Sequence, residues 1–99
     1  MPVYYINSYD ITDIEVYKKY GPPVMELLHQ YGARVLASDL EAIGVEGGVK
    51  KMNAVIEFPS EAAALQCYND PAYRPLKAIR WASTDNCTMT LVHGVGELP

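Results

Sequence analysis

Four short runs of β-branched and aromatic residues, interrupted by two stretches of helical periodicity, constrain this chain more than any single motif. Residues 3 to 9 (VYYINSY), 33 to 39 (ARVLASD), 51 to 58 (KMNAVIEF) and 87 to 93 (CTMTLVH) are too short for helices and read as strands. After the first strand, Tyr17, Tyr20, Val24, Leu27, Leu28 and Tyr31 recur at three- and four-residue spacing and mark one helix face. Thr12-Asp13-Ile14-Glu15 fits a capping box at that helix's start, in which the Thr hydroxyl and Glu carboxylate satisfy free amides. Gly21-Pro22-Pro23 predicts a break or kink within it, and Gly32 a left-handed cap at its end. After the third strand, Ser60 is expected to cap a helix carrying Ala64, Leu65 and Tyr68 inward. Asn69-Asp70-Pro71 then ends that helix and starts a shorter one reaching about Ala82. There Asp70 is the N-cap, Pro71 the first position, and Pro75 a disturbance in the first turn. The connection holding Gly44, Gly47 and Gly48 reads as a long hairpin loop.

Strand, helix, strand, strand, helix, strand is the ferredoxin-like βαββαβ order, an α+β arrangement with both helical layers on one face of an antiparallel sheet. At 99 residues and 11.0 kDa the chain holds one core, so residues 1–99 form a single domain. Alternation along the third strand puts Ala54, Ile56 and Phe58 on one face and Asn53, Val55 and Glu57 on the other. The second face is uncovered and partly apolar. Pairing two such faces in a homodimer would bury the apolar part and enclose the polar part as a cavity.

Charge and motif content exclude several classes of function. Eight basic against twelve acidic residues give a net charge of −4, the wrong sign for a small nucleic-acid binder. No apolar run approaches the roughly 20 residues needed to span a membrane, and no signal peptide opens the chain, so a cytoplasmic location is expected. Cys67 and Cys87 lack metal or redox spacing and read as free thiols. His29 and His93 have no second ligand at helical or hairpin spacing, so neither metal nor cofactor is expected. There is no nucleophile elbow, and Gly47-Gly48 lacks the lysine of a phosphate loop.

The remaining candidates are polar groups near the uncovered face or the helix corner. Eight tyrosines stand beside one Phe and one Trp, a composition suited to pocket walls and interfaces. Glu57 faces the open side of the sheet and needs a partner, for which Arg34 on the neighbouring strand is placed; the pair is either functional or a structural ion pair. His93 at the end of the last strand is either a pocket group or a satisfied structural histidine. Tyr68, Tyr73 and Arg80 around the Asp70 corner form either a lid over an anionic ligand or a capped turn. Met1-Pro2 raises one more reading, a processed N-terminal proline acting as general base, as in tautomerases.

Val55-Ile56-Glu57-Phe58-Pro59-Ser60, followed by Tyr68, Pro71, Tyr73, Leu76 and Arg80, resembles the bacterial family known as domain of unknown function 1330 (DUF1330). The likeness extends to Thr12-Asp13 with Tyr17 and Tyr20, to Gly32-Ala33-Arg34-Val35-Leu36, to Glu46-Gly47 and to Gly94. The resemblance implies a dimeric α+β barrel, in which two ferredoxin-like subunits pair sheet to sheet. Related barrels include cofactor-independent monooxygenases and isomerases. Val49 and Cys67 stand where relatives often carry Trp, Met52 where they often carry Arg, and Pro75 enters the last helix. Those departures imply a smaller and less basic pocket.

The leading expectation is therefore a homodimer that binds a small organic, anionic molecule in a pocket between the sheet and the long helix. Metal-free monooxygenase or isomerase chemistry would go with it. Tyr17, Arg34, Tyr68, Tyr73 and Arg80 would form the ligand wall, with Glu57 or His93 moving a proton. A non-catalytic ligand-sensing or structural dimer is the alternative, and a proline tautomerase the third reading.

Overall fold

The computed structural model describes residues 2–96. Its elements run β1 (Val3–Ile11), α1 (Ile14–Tyr17), α2 (Gly21–Gln30), β2 (Arg34–Asp39), β3 (Met52–Phe58), α3 (Glu61–Tyr68), α4 (Tyr73–Ser83) and β4 (Thr84–His93). The strands form one antiparallel sheet in the order β2-β3-β1-β4. This is the ferredoxin-like βαββαβ topology. The sheet is open, however, with β2 and β4 as two edges that do not meet. The expected α+β barrel is thus incorrect. Closing a barrel requires strand tilt and stagger around a full ring, and four strands with their edges on opposite sides supply neither.

The first helical stretch is two helices, and its joint lies earlier than the prolines suggested. α1 is capped by Asp13, whose Oδ1 accepts from Val16 N at 3.1 Å. Thr12 does not play that part; it follows the end of β1, and its N–H donates to Ser83 O at 2.8 Å. The chain turns at Lys18–Tyr20, and Pro22 and Pro23 fall in the first turn of α2, where a missing N–H costs nothing. Gly32 ends this layer with φ 72°, a left-handed position.

Ser60 Oγ accepts from Ala63 N at 3.1 Å and so caps α3. The buried positions of α3 are Ala64 and Cys67, while Leu65 is exposed, against the expected inward set. Positions 64, 67 and 68 share one face at i, i+3 and i+4, and residue 65 lies about 100° around from 64. α4 starts at Tyr73, which places Pro75 in the first turn, again where its N–H is dispensable. β4 begins at Thr84, three residues before the expected start, and carries Asn86 at φ 54° beside a register shift between Ser8 and Asp10. The polar run Thr84-Asp85-Asn86 has no alternation to reveal this extension.

The core lies between the sheet and the helices. Phe58 and Val3 are its most buried large side chains, with Tyr5 edge-on to Phe58 at 5.5 Å between centroids. Tyr5 OH donates to Ala64 O at 3.0 Å, tying β1 to α3.

Asp70 links the two helical layers. Its carboxylate accepts from Tyr31 OH at 2.6 Å and from Ala72 N at 2.8 Å. The Tyr31 hydroxyl first, and the Ala72 amide second, hold the Asp70 carboxyl below its usual range. A carboxylate depressed in the folded state stabilises fully above its unfolded pKa and loses that contribution as pH falls through the folded value. Asp70→Asn removes the titration and keeps one acceptor oxygen, with an Nδ2 donor in place of the other. We expect urea midpoints of wild type and variant to run parallel at neutral pH and to differ in slope below about pH 4. Identical acid limbs would exclude Asp70 as a contributor.

Candidate functional site

Strand alternation aims Tyr5, Asn7 and Tyr9 of β1 and Met52, Ala54, Ile56 and Phe58 of β3 at the helices. The register sets Ser38, Ala54 and Asn7 side by side across β2, β3 and β1. Three short side chains in one row leave a hollow beneath α2. The resulting cavity has a volume of about 300 Å³. Val24, Met25 and Leu28 of α2 roof it, and Val35, Ile56 and Met89 extend its apolar floor. Met25 and Ser38 line it and are also exposed, which places its mouth between α2 and the edge strand β2.

The far end is built from tyrosines of five elements and joints. Tyr9 and Tyr17 share a hydrogen bond of 2.6 Å between hydroxyls, and Tyr20 and Tyr73 share one of 2.9 Å. Burial raises the Tyr9, Tyr17 and Tyr20 hydroxyls above the ordinary tyrosine value, and the bond to Tyr17 adds to the rise at Tyr9. Burial likewise pushes Tyr5 up to about 12. The cluster therefore consists of neutral hydroxyls at physiological pH. Behind it lies Arg80 of α4, 2% exposed, whose Nη1 donates to Cys87 Sγ at 2.7 Å. Burial works against the Arg80 charge, but Tyr73, Tyr20 and Cys87 more than offset it and the guanidinium stays protonated.

Two buried polar atoms here have no hydrogen-bond partner among the described residues: Asn7 Oδ1 and Arg80 Nε. Asn7 is 7% exposed and lines the cavity. It was missed as a site residue, although a polar side chain at a core-facing position of an aromatic strand is a readable signal. Tyr9 and Tyr20 were also missed, and only the folded chain brings them to Tyr17 and Tyr73.

The seven residues proposed from sequence occupy three places. Tyr17, Tyr68 and Tyr73 line the cavity, with Arg80 buried behind it. Arg34 and Glu57 meet as anticipated, with Nε and Nη2 each 3.0 Å from Oε1, but on the opposite face of the sheet. His93 Nε2 lies 2.6 Å from Glu61 Oε1 at the start of α3, with both side chains exposed. Pro2 is not among the cavity-lining residues, and Met1 lies outside the described residues. The loop over residues 40–51 contributes no lining residue. Cys67 and Cys87 are free, and burial pushes the Cys67 thiol up to about 11. Among the described residues no group of three His, Cys, Asp or Glu is placed to hold a metal ion. No helix among them is long and apolar enough to cross a membrane.

Comparison with known proteins agrees with this architecture. A domain of unknown function, DUF1330, matches residues 2–95. The chain belongs to this family. No curated protein matches it. Among solved structures, a protein of unknown function from Rhodopseudomonas palustris is similar at 18% identity and TM-score 0.82, over 97% of this chain and 84% of that one. SnoaB, a cofactor-independent oxygenase from Streptomyces nogalater, is similar at 10% identity and TM-score 0.72, over 99% and 97% of the two chains. A dimeric protein of unknown function and ferredoxin-like fold from Bacteroides fragilis is similar at 10% identity and TM-score 0.65, over 94% and 96%. At these identities the likeness establishes the ferredoxin-like fold of this DUF1330 chain and leaves its chemistry to its own residues.

Proposed function

We propose that this DUF1330 protein is a cytoplasmic homodimer that binds a small organic molecule in the cavity between the sheet and α2. The ligand's apolar body lies against Val24, Leu28, Ile56 and Met89, and its polar group reaches the tyrosine end. The Asn7 carboxamide carries this reading: it is buried in the cavity wall with Oδ1 unpartnered. An unmet buried polar group costs about 1–3 kcal/mol, which a ligand's hydrogen bond would offset. Tyr17, Tyr68 and Tyr73 belong to the wall, whereas Arg34, Glu57 and His93 make protein contacts away from it.

Metal-free oxygenase or isomerase chemistry is supported by the fold shared with SnoaB and by an apolar chamber that desolvates its contents. One observation favours the non-catalytic, ligand-sensing alternative. Among the described residues, no Asp, Glu or His lines the cavity, so no ordinary general base is in reach. A homodimer is supported by the small size of the chain, by Tyr4, Ile6, Val55 and Val92 sharing the uncovered sheet face, and by the dimeric neighbour from Bacteroides fragilis.

Asn7→Leu tests the site. Leu matches Asn in shape and removes the unmet polar atom, so the thermal midpoint should hold or rise while affinity for bound aromatic fragments falls about tenfold, the weight of roughly one hydrogen bond. A lowered midpoint with unchanged fragment affinity would make Asn7 a structural residue and sink the reading. Sedimentation equilibrium should give twice 11.0 kDa; a monomer at micromolar concentration would remove the dimer.

A further inference from the structure

Among the described residues Arg80 is the one buried charged side chain, and it has no counter-ion. It is 2% exposed, and among the described residues no carboxylate lies within ion-pair distance of it. The titratable groups facing it are Tyr9, Tyr17, Tyr20 and Tyr73 from the cavity's polar end, and Cys87 from β4. Nor is the cation needed to satisfy those tyrosines, because their hydroxyls are already paired as Tyr9–Tyr17 and Tyr20–Tyr73. Tyr73, Tyr20 and Cys87 hold the guanidinium against its burial cost in place of a counter-ion, and its Nε still lacks a partner.

We propose that the cavity's ligand is an organic anion with an apolar, ring-sized body, and that Arg80 together with the tyrosine hydroxyls is the seat of its negative oxygen. This inference rests on the cavity's being a ligand site. In the free protein the cation faces only hydroxyls and a thiol; in the complex it acquires its counter-charge. Hydroxyl donors backed by a fixed positive charge in a water-poor site stabilise a phenolate, an enolate or a carboxylate far more than water does at the same distance. Arg80 acts partly through the tyrosines, which lie between it and the cavity, so it is a positioning residue for charge.

Two coloured probes distinguish the outcomes: 4-nitrophenol, which ionises near neutrality, and its neutral methyl ether, 4-nitroanisole. In wild type both should bind, and the ionisation midpoint of bound 4-nitrophenol, read from its phenolate absorbance, should fall by about one unit or more, a tenfold gain in the anion. Arg80→Met should abolish that shift while still binding 4-nitroanisole, and Arg80→Lys should restore part of it. A thermal melt of free Arg80→Met checks that it is folded, so that loss of the shift reports the missing charge. Benzoate competing with 4-nitrophenol would place carboxylates in the same seat; failure to compete would restrict it to phenolates and enolates. Binding of both probes with no shift in ionisation would overturn the anion inference and leave the cavity as a neutral-ligand site. Failure of both probes to bind would overturn the cavity reading itself. An Arg80→Met protein that melts lower and keeps the shift would show the cation to be structural.

Discussion

Replacing Phe58 by Ala is expected to cost about 3–5 kcal/mol, enough to leave the protein largely unfolded in mild urea. Phe58 is 0% exposed, stands at the end of β3 opposite Val3, and receives the edge-on ring of Tyr5. Truncation leaves a void that Tyr5 cannot fill, because its hydroxyl is anchored on Ala64 O across the core. Total stability for a domain of this size is about 5–15 kcal/mol, so one such loss removes roughly a fifth of it at the least and most of it in a marginal domain. Urea denaturation followed by circular dichroism measures the effect. A midpoint within error of wild type would mean that Phe58 is not the keystone its burial implies.

The second large effect concerns the cavity and has the opposite sign for stability. Ala54 lies in the middle of β3, between Asn7 of β1 and Ser38 of β2, and lines the hollow. In Ala54→Phe a ring would project into the same space as the proposed ligand. We expect fragment affinity to fall at least a hundredfold, about 2.7 kcal/mol, with the thermal midpoint unchanged or higher because empty volume is filled. Paired calorimetric binding and thermal melts give both numbers. Retained affinity would place the ligand elsewhere, and a collapsed midpoint would show that the space is needed by the core.

Both expectations depend on geometry that was only partly legible in the sequence. Strands and helices were readable because alternation, helical spacing and caps such as Ser60 and Gly32 are local properties of the chain. The pairing of Arg34 with Glu57 was readable for a related reason, since β2 and β3 form a hairpin and parity fixes the face. Where the local signal was polar or double, it misled. Asp13 and Thr12 are both good caps by type, and the folded chain uses Asp13, whose Oδ1 takes the Val16 N–H. The Gly21-Pro22-Pro23 run reads as a break in a helix, but a break and a start need the same residues.

By itself the sequence determined the order of elements, the ferredoxin-like topology and the family. Each follows from patterns spanning a few residues, or from matches along the chain. Tertiary structure alone decided that the sheet stays open, that Ser38, Ala54 and Asn7 fall in one row and hollow the sheet, and that Arg80 lies among four tyrosines without a carboxylate. Those features depend on strand register and on contacts between segments far apart in the chain. Side-chain period constrains a strand's face but not its neighbour, and a burial cost such as that of Arg80 exists only once the surrounding water has been removed.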